Sequence, residues 1–315
     1  MSSITRYCIP FFAVCLFFLG CGKNEPLTAN KAPRLVFKAE NGEQALSNVT
    51  DFVQACTPRD AMTPGAERAA QWLKAKLIVN GLTDAALQTF TDKTPMGNAT
   101  FHNVVASIPG RSPKTILLLS HFDTKSGISP TFQGANDSGS STGLLLELAR
   151  LIAASGTPRH TIHFAFLDGE ECKLNFDAHD GLHGSRHLAK SWRQEKREVV
   201  AVILMDMIGD RDLRIQLPHN STGTLRACAL GAADVTGDRK HIALYDRIIL
   251  DDHQPFLDAG FPAVDLIDFN YGSAPGENNY WHTPEDTLDK LSAESLTITG
   301  RIVLEMINQL SNPSR

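Results

Sequence analysis

Three carboxylates around one glycine, Asp168-Gly169-Glu170-Glu171, close an apolar run over residues 162–167. Such a run reads as a buried strand, and strand ends are where open α/β sheets gather their chemistry. Adjacent glutamates point in different directions, so one can bind a metal while the other moves a proton. Comparable groups recur along the chain. His121 and Asp123 follow the apolar residues 115–120, Asp137 closes Gly134-Ala135-Asn136-Asp137, Asp206 ends the run 199–205, and His282 follows Trp281 in a late loop. Taken singly, His121 suits a hydrogen-bonded loop, Asp137 a helix cap and His282 a turn. Asp206 fits a bystander's place least, because an unpaired carboxylate after so apolar a run is costly. Taken together, imidazole and carboxylate at equivalent ends of neighbouring strands describe a zinc site with one position open to water or substrate.

The elements that must position these groups alternate. Residues 39–82 have helical spacing, interrupted by the turn-rich 57–65. Short strands are expected at 87–90 and 101–108 around a turn at 94–98, then buried strands at 115–120, 162–167, 199–205 and 263–267. Helices are expected at 144–152, 185–192, 224–235 and 295–310, with a short one around Phe256. This alternation predicts a three-layer α/β sandwich, a mostly parallel central sheet flanked by helices, in a single domain over 39–315.

With 315 residues, 42% of them hydrophobic and 21% charged, the chain can bury a substantial core. A formal net charge of −5 provides no basic footprint for nucleic acid. Residues 1–21 have the layout of a secretory signal, with Arg6 before a short apolar run. Its end, Phe18-Leu19-Gly20-Cys21, resembles a lipobox, so Cys21 is the expected lipidation site of an exported, membrane-anchored bacterial lipoprotein, and residues 22–38 the expected tether. The cysteines beyond the signal and its anchor, Cys56, Cys172 and Cys228, make neither a disulfide framework nor a thiolate zinc site.

Ser120-His121-Phe122-Asp123, Gly134-Ala135-Asn136-Asp137, Asp168-Gly169-Glu170-Glu171, Leu204-Met205-Asp206 and Trp281-His282-Thr283 together resemble the motifs of the M28 zinc peptidase superfamily, from about Asn48 to the C-terminus. That superfamily includes dizinc aminopeptidases and glutaminyl-peptide cyclotransferases, which turn an N-terminal glutamine into pyroglutamate and release ammonia. The loop 172–182 running into His183-Gly184-Ser185-Arg186, the Asp206-Met207-Ile208-Gly209 segment, the Asp251-Asp252-His253-Gln254-Pro255-Phe256 segment and Trp281 before His282 are similar to the cyclotransferases. Phe176 and Asp265 stand where the animal enzymes of that branch usually carry Trp and His.

For a cyclotransferase the resemblance implies one zinc on Asp137, Glu171 and His282. Glu170 then moves the proton, Asp251 and Asp206 form an acidic relay, Trp281 and Phe176 contact substrate, and His121 and Asp123 orient the ligands. For an aminopeptidase it implies two zincs bridged by Asp137, the second held by His121 and Asp206. In either branch the partner is the N-terminus of a peptide or protein. A non-catalytic binding domain on the same fold is the third reading, and an intact Glu170 speaks against it.

Overall fold

The computed structural model describes residues 34–312. The expected signal, its Cys21 and residues 22–33 of the expected tether lie outside them. The chain opens with helices α1 (Ala39–Cys56) and α2 (Pro64–Val79), followed by the hairpin strands β1 (Ala86–Thr94) and β2 (Gly97–Ile108). Then come β3 (Ser112–His121), α3 (Ser141–Ala154), β4 (His160–Leu167), α4 (His183–Gln194) and β5 (Val199–Asp206). The remainder is β6 (Ile215–Leu217), α5 (Gly223–Thr236), β7 (Ile242–Leu244), α6 (Gln254–Asp258), β8 (Ala263–Ile267) and α7 (Ala293–Ser311). No helix among the described residues is long and apolar enough to cross a membrane.

One eight-stranded sheet runs in the order β1-β2-β4-β3-β5-β8-β6-β7. Its four middle strands, β4, β3, β5 and β8, are parallel, while β2 pairs antiparallel with β4 and β6 antiparallel with β8. The sheet is therefore mixed at its margins around the expected parallel centre. The two outer strands expected to be short form a long hairpin, because Phe90 and Phe101 stack across it with ring centroids 5.5 Å apart and extend the pairing to a turn at Pro95-Met96. The short β6 and β7, in a region whose sequence carries little periodicity, have no counterpart in the sequence reading.

Side-chain alternation on the middle strands splits the core into two layers. Ile116 and Leu118 of β3, Ile162, Phe164 and Phe166 of β4, and Ile203 and Met205 of β5 face the layer built by α1, α2, α3, α5 and α7. Leu117, Leu119, Ala165, Leu167, Val202 and Leu204 face the layer containing Leu188, Trp192 and Phe256 of α4 and α6. Both faces being covered is why these strands read as continuous apolar runs rather than as alternating ones. Truncating one such residue, Leu118→Ala for example, costs about 2–5 kcal/mol. Helix α2 starts where Thr63 Oγ1 accepts the Gly65 and Ala66 N–H groups ahead of Pro64 at its first position.

Just before α1, within the stretch expected to be tether, Leu35 and Phe37 are buried. Asn308 of α7 donates to the Leu35 carbonyl and accepts its N–H, fastening this strip to the last helix. Strand β3 lies between β4 and β5, so the chain leaves β3 toward one side of the sheet and returns to its other side for β5. That reversal opens a crevice at the carboxyl ends of these strands.

Candidate functional site

The loops leaving β3, β4, β5 and β8 converge at that crevice. His121 is the last residue of β3 and Asp206 the last of β5, while Glu170 and Glu171 follow β4 through Gly169, whose φ of +74° turns the chain. A Cβ at Gly169 would meet the Phe101 ring at 2.5 Å, so glycine answers both the backbone sign and the space. Asp137 sits in a wide helical turn, 135–140, that enters α3. Its φ of −102° and ψ of 91° are not helical, and α3 has no side-chain cap, so its carboxylate is free for the crevice instead of capping a helix.

Two groups of donor atoms lie close enough to share an ion, Asp137 with Glu171 and His282, and His121 with Asp137 and Asp206. His282 Nε2 is 2.8 Å from Glu171 Oε1 and 3.2 Å from Asp137 Oδ2. His121 Nε2 is 3.2 Å from Asp137 Oδ1 and 3.4 Å from Asp206 Oδ1. Asp137 thus belongs to both groups, one oxygen to each. Glu171 Oε2 and Asp206 Oδ1 are buried without a hydrogen-bond partner among the described residues. Buried oxygens of this kind, mixed with imidazole nitrogens, suit zinc.

Electrostatics agree with that use. Burial foremost, with Asp137 beside it, raises Glu171 above the ordinary carboxylate range. For His282 burial acts downward, yet hydrogen bonds to Asp137 and Glu171 outweigh it and push the imidazole up to about 9. Burial would also lower His121, but Asp123, Asp137 and Asp206 raise it well above an ordinary histidine. Burial opposes ionisation of Asp137, and the two histidines overcome it and hold this carboxyl below its usual range. The protons on both imidazoles stand in for positive charge that a divalent cation supplies more compactly.

Glu170 belongs to neither donor group, although it lines the same cavity. Burial, with Glu171, Asp251 and Asp252 adding repulsion, raises it well above the usual glutamate range, while His121 acts the other way. A carboxyl raised in this way, beside a metal group but outside it, is suited to proton transfer. Asp251 and Asp206 line the same cavity of about 370 Å³, as do Trp281 and Phe176. Trp281 stacks on His282 with centroids 4.0 Å apart and meets Phe269 edge-on at 5.0 Å. The loop after Glu171 is a closed turn, because the Asp180 carboxylate accepts the N–H groups of Lys173, Leu174 and Asn175. That turn delivers Phe176 to the cavity. Asp265 is wholly buried on β8, its two oxygens without hydrogen bonds and His253 Nδ1 3.9 Å away. Burial first, then Asp251 and Asp206, keeps it protonated well above the usual carboxyl range.

Around this centre the supporting residues fall into two sets. Asp123 accepts the N–H of Glu170 on one oxygen and of Glu171 on the other, at 3.1 and 3.2 Å, and thereby sets both glutamates. Asp168 turns away and takes the N–H of His102 on β2. Asp123 and Asp168 thus stand outside both donor groups. Three supports have no counterpart in the sequence reading. Asp286 accepts the N–H groups of Asn136 and Asp137. Arg59, wholly buried, donates to the carbonyls of Phe122, Gln133 and Gly134 at 2.7 Å each. Lys125 Nζ lies 3.5 Å from Glu171 Oε2 and donates to the Cys172 carbonyl. The one available signal for Asp286 was its place four residues after His282; Arg59 sat in a segment legible only as a break between helices.

Residues 103–307 match the M28 peptidase family. The chain belongs to that family. A solved glutaminyl cyclase from an Acidobacteriales bacterium superposes on it with a TM-score of 0.82 at 33% identity, covering 93% of this chain and all of the other. The glutaminyl-peptide cyclotransferase of Drosophila melanogaster is 28% identical over 70% of this chain and 69% of its own length. A probable leucine aminopeptidase of Arthroderma benhamiae is 27% identical over 77% of this chain and 66% of its own. Glutaminyl cyclases and an aminopeptidase are thus both among the proteins it resembles.

Proposed function

We propose that this M28 chain is a zinc-dependent glutaminyl-peptide cyclotransferase acting on peptides and proteins that begin with glutamine. The observation that carries the reading is the cavity in which buried Glu170 stands beside the Asp137–Glu171–His282 group under the aromatic walls of Trp281 and Phe176. The similarity to glutaminyl cyclases over nearly the whole chain supports it.

Asp137, Glu171 and His282 would hold the zinc, which supplies Lewis acidity toward the carbonyl oxygen of the glutamine side-chain amide. Glu170 accepts the proton leaving the substrate's α-amine as its nitrogen bonds to the δ-carbon. It then returns that proton to the side-chain nitrogen, whose bond to the same carbon breaks, so that ammonia departs and the five-membered lactam remains. Asp251, with Asp206 behind it, accepts an amide N–H and fixes the leaving group. Trp281 and Phe176 cover the reacting carbon, favouring the substrate's own amine over water as the nucleophile. His121 orients Asp137 and Asp206 from behind.

A specific observation keeps the hydrolytic reading in play: His121 and Asp206 form a second donor group with Asp137. Two zincs would then be held side by side, and Glu170 would take a proton from water. Zinc content, ammonia release from a Gln-initiated peptide and hydrolysis of Leu-amide separate the two. We expect ammonia and little Leu-amide turnover; two zincs with Leu-amide hydrolysis and no ammonia would overturn the cyclotransferase. The signal-like N-terminus with its lipobox supports, as part of this proposal, an exported protein anchored at the membrane through Cys21.

A further inference from the structure

Arg247 lines the catalytic cavity, whose wall also carries the carboxylates of Asp137, Glu170, Glu171, Asp206 and Asp251. Among the described residues of that wall, it is the one cationic side chain apart from His282. Those carboxylates are 3–8% exposed and form the floor, whereas Arg247 is exposed and belongs to the mouth. Among the described residues its guanidinium forms no hydrogen bond or ion pair, with these carboxylates or with any other group. Its charge is therefore not spent on neutralising the floor.

The backbone that carries Arg247 is held from below. Tyr245 N–H donates to the Leu217 carbonyl at 3.0 Å and His219 N–H to the Arg247 carbonyl at 2.8 Å. Asn220 then exchanges hydrogen bonds with both backbone groups of Ile249 at 2.9 and 3.2 Å. The side chain thus projects from a fixed rim, flanked by the exposed apolar Ile248 and Leu250.

Resting on the cyclotransferase reading, we infer that Arg247 selects substrates that carry a carboxylate just beyond the N-terminal glutamine. The negative floor draws in the α-amine end, and the positive mouth receives the opposite charge, so a peptide enters in one direction. An extended chain advances about 3.3–3.6 Å per residue, so the residues that follow a bound glutamine run outward from the floor toward the exposed rim. Two sources offer the same chemistry, the C-terminal carboxylate of a dipeptide or tripeptide and an acidic side chain at the second or third position. A guanidinium binds either in a bidentate manner.

The test compares kcat/KM for ammonia release from Gln-Ala with Gln-Ala-amide, and from Gln-Glu-amide with Gln-Gln-amide, on the zinc-loaded enzyme. The first pair reads the terminal carboxylate and the second the side chain. We expect a preference of about fivefold for the charged member of at least one pair, the scale of a solvent-exposed ion pair, carried by KM and reduced by added salt. Arg247→Gln removes the preference, Arg247→Lys keeps part of it and Arg247→Glu reverses it. Equal values for the charged and neutral members in the unaltered enzyme, or a preference that survives Arg247→Gln, would overturn the inference. The affinities of the same peptides for Glu170→Gln protein, measured by calorimetry, read the ratio without turnover. A charge preference there with no ammonia release from the unaltered enzyme would uphold Arg247 and sink the cyclotransferase.

Discussion

Asp286 accepts the backbone N–H of Asp137 at 3.1 Å, across 149 residues of sequence. Its other oxygen takes the Asn136 N–H at 2.7 Å and the hydroxyl of buried Tyr271 at 2.8 Å. The residue common to both donor groups is thus aimed through its own main chain, by a carboxylate that belongs to neither group. Asp286→Ala leaves three buried donors unpaired, each costing about 1–3 kcal/mol, and lets Asp137 turn. We expect zinc affinity to fall about 10- to 100-fold, the usual effect of removing an outer partner, with a lower melting temperature. Chelator competition and thermal unfolding measure the two; unchanged zinc affinity would refute the role.

Arg59 does the equivalent work for the preceding loop. Its guanidinium reaches three carbonyls on either side of the segment that bears Asp123, and it lies over the Phe52 ring at 4.8 Å. Burial lowers its pKa to about 10, still far above neutral pH, so the charge is retained. Arg59→Met keeps the stem but orphans three buried acceptors and is expected to cost about 3–5 kcal/mol in urea unfolding. Arg59→Lys restores the charge without the planar fork and should recover only part of that loss. A Met variant as stable as the parent would show that the loop holds itself.

Zinc affinity should depend on pH in a stated direction. His282, up to about 9 in the ion-free protein, carries a proton below that pH and must lose it before Nε2 can ligate. Affinity therefore rises with pH, about tenfold per unit for the one proton released, and levels off above about 9. The two-zinc arrangement adds His121, also raised, and with it a second released proton for the second ion. Competition with a chelator of known pH behaviour at several values between pH 6 and 9 gives the slope; a flat profile would contradict the pairing of His282 with two carboxylates.

The sequence was most legible where physics is local. The continuous apolar runs 115–120, 162–167 and 199–205 mark buried parallel strands, and the candidate ligands at their ends are visible because chain direction forces equivalent ends together. The β1–β2 hairpin, with β1 extending to Thr94, is longer than the sequence pattern predicts because its length comes from Phe90 and Phe101 meeting across strands. Arg59 and Asp286 were illegible for a related reason. Each works on backbone groups 63 or more residues away, and backbone acceptors and donors leave no mark in the identity of the residues that carry them. Asp137 is legible as a candidate ligand, but not the non-helical φ and ψ that free it from capping α3.

The acid limb of activity should be movable by a residue outside the cavity wall. Glu170 must be ionised to accept the α-amine proton, and its pKa is raised by burial first, with Glu171, Asp251 and Asp252 adding repulsion. A base with a raised pKa is active above it and lost as pH falls through it, so kcat/KM for ammonia release should fall on the acid side at a higher pH than an ordinary glutamate allows. The substrate's own amine, with an ordinary pKa of about 7.7–8.0, also protonates in this direction, and the profile alone does not separate the two. Asp252 does separate them. It is wholly buried, and burial pushes it up to about 7, so it is ionised above that pH and repels the Glu170 carboxylate. Asp252→Asn keeps the shape and removes the charge, which should move the acid limb toward lower pH. No change in this protein alters the pKa of a free peptide. A limb that stays fixed in Asp252→Asn while moving with substrates of different amine pKa would assign it to the substrate and remove Glu170's titration from the account.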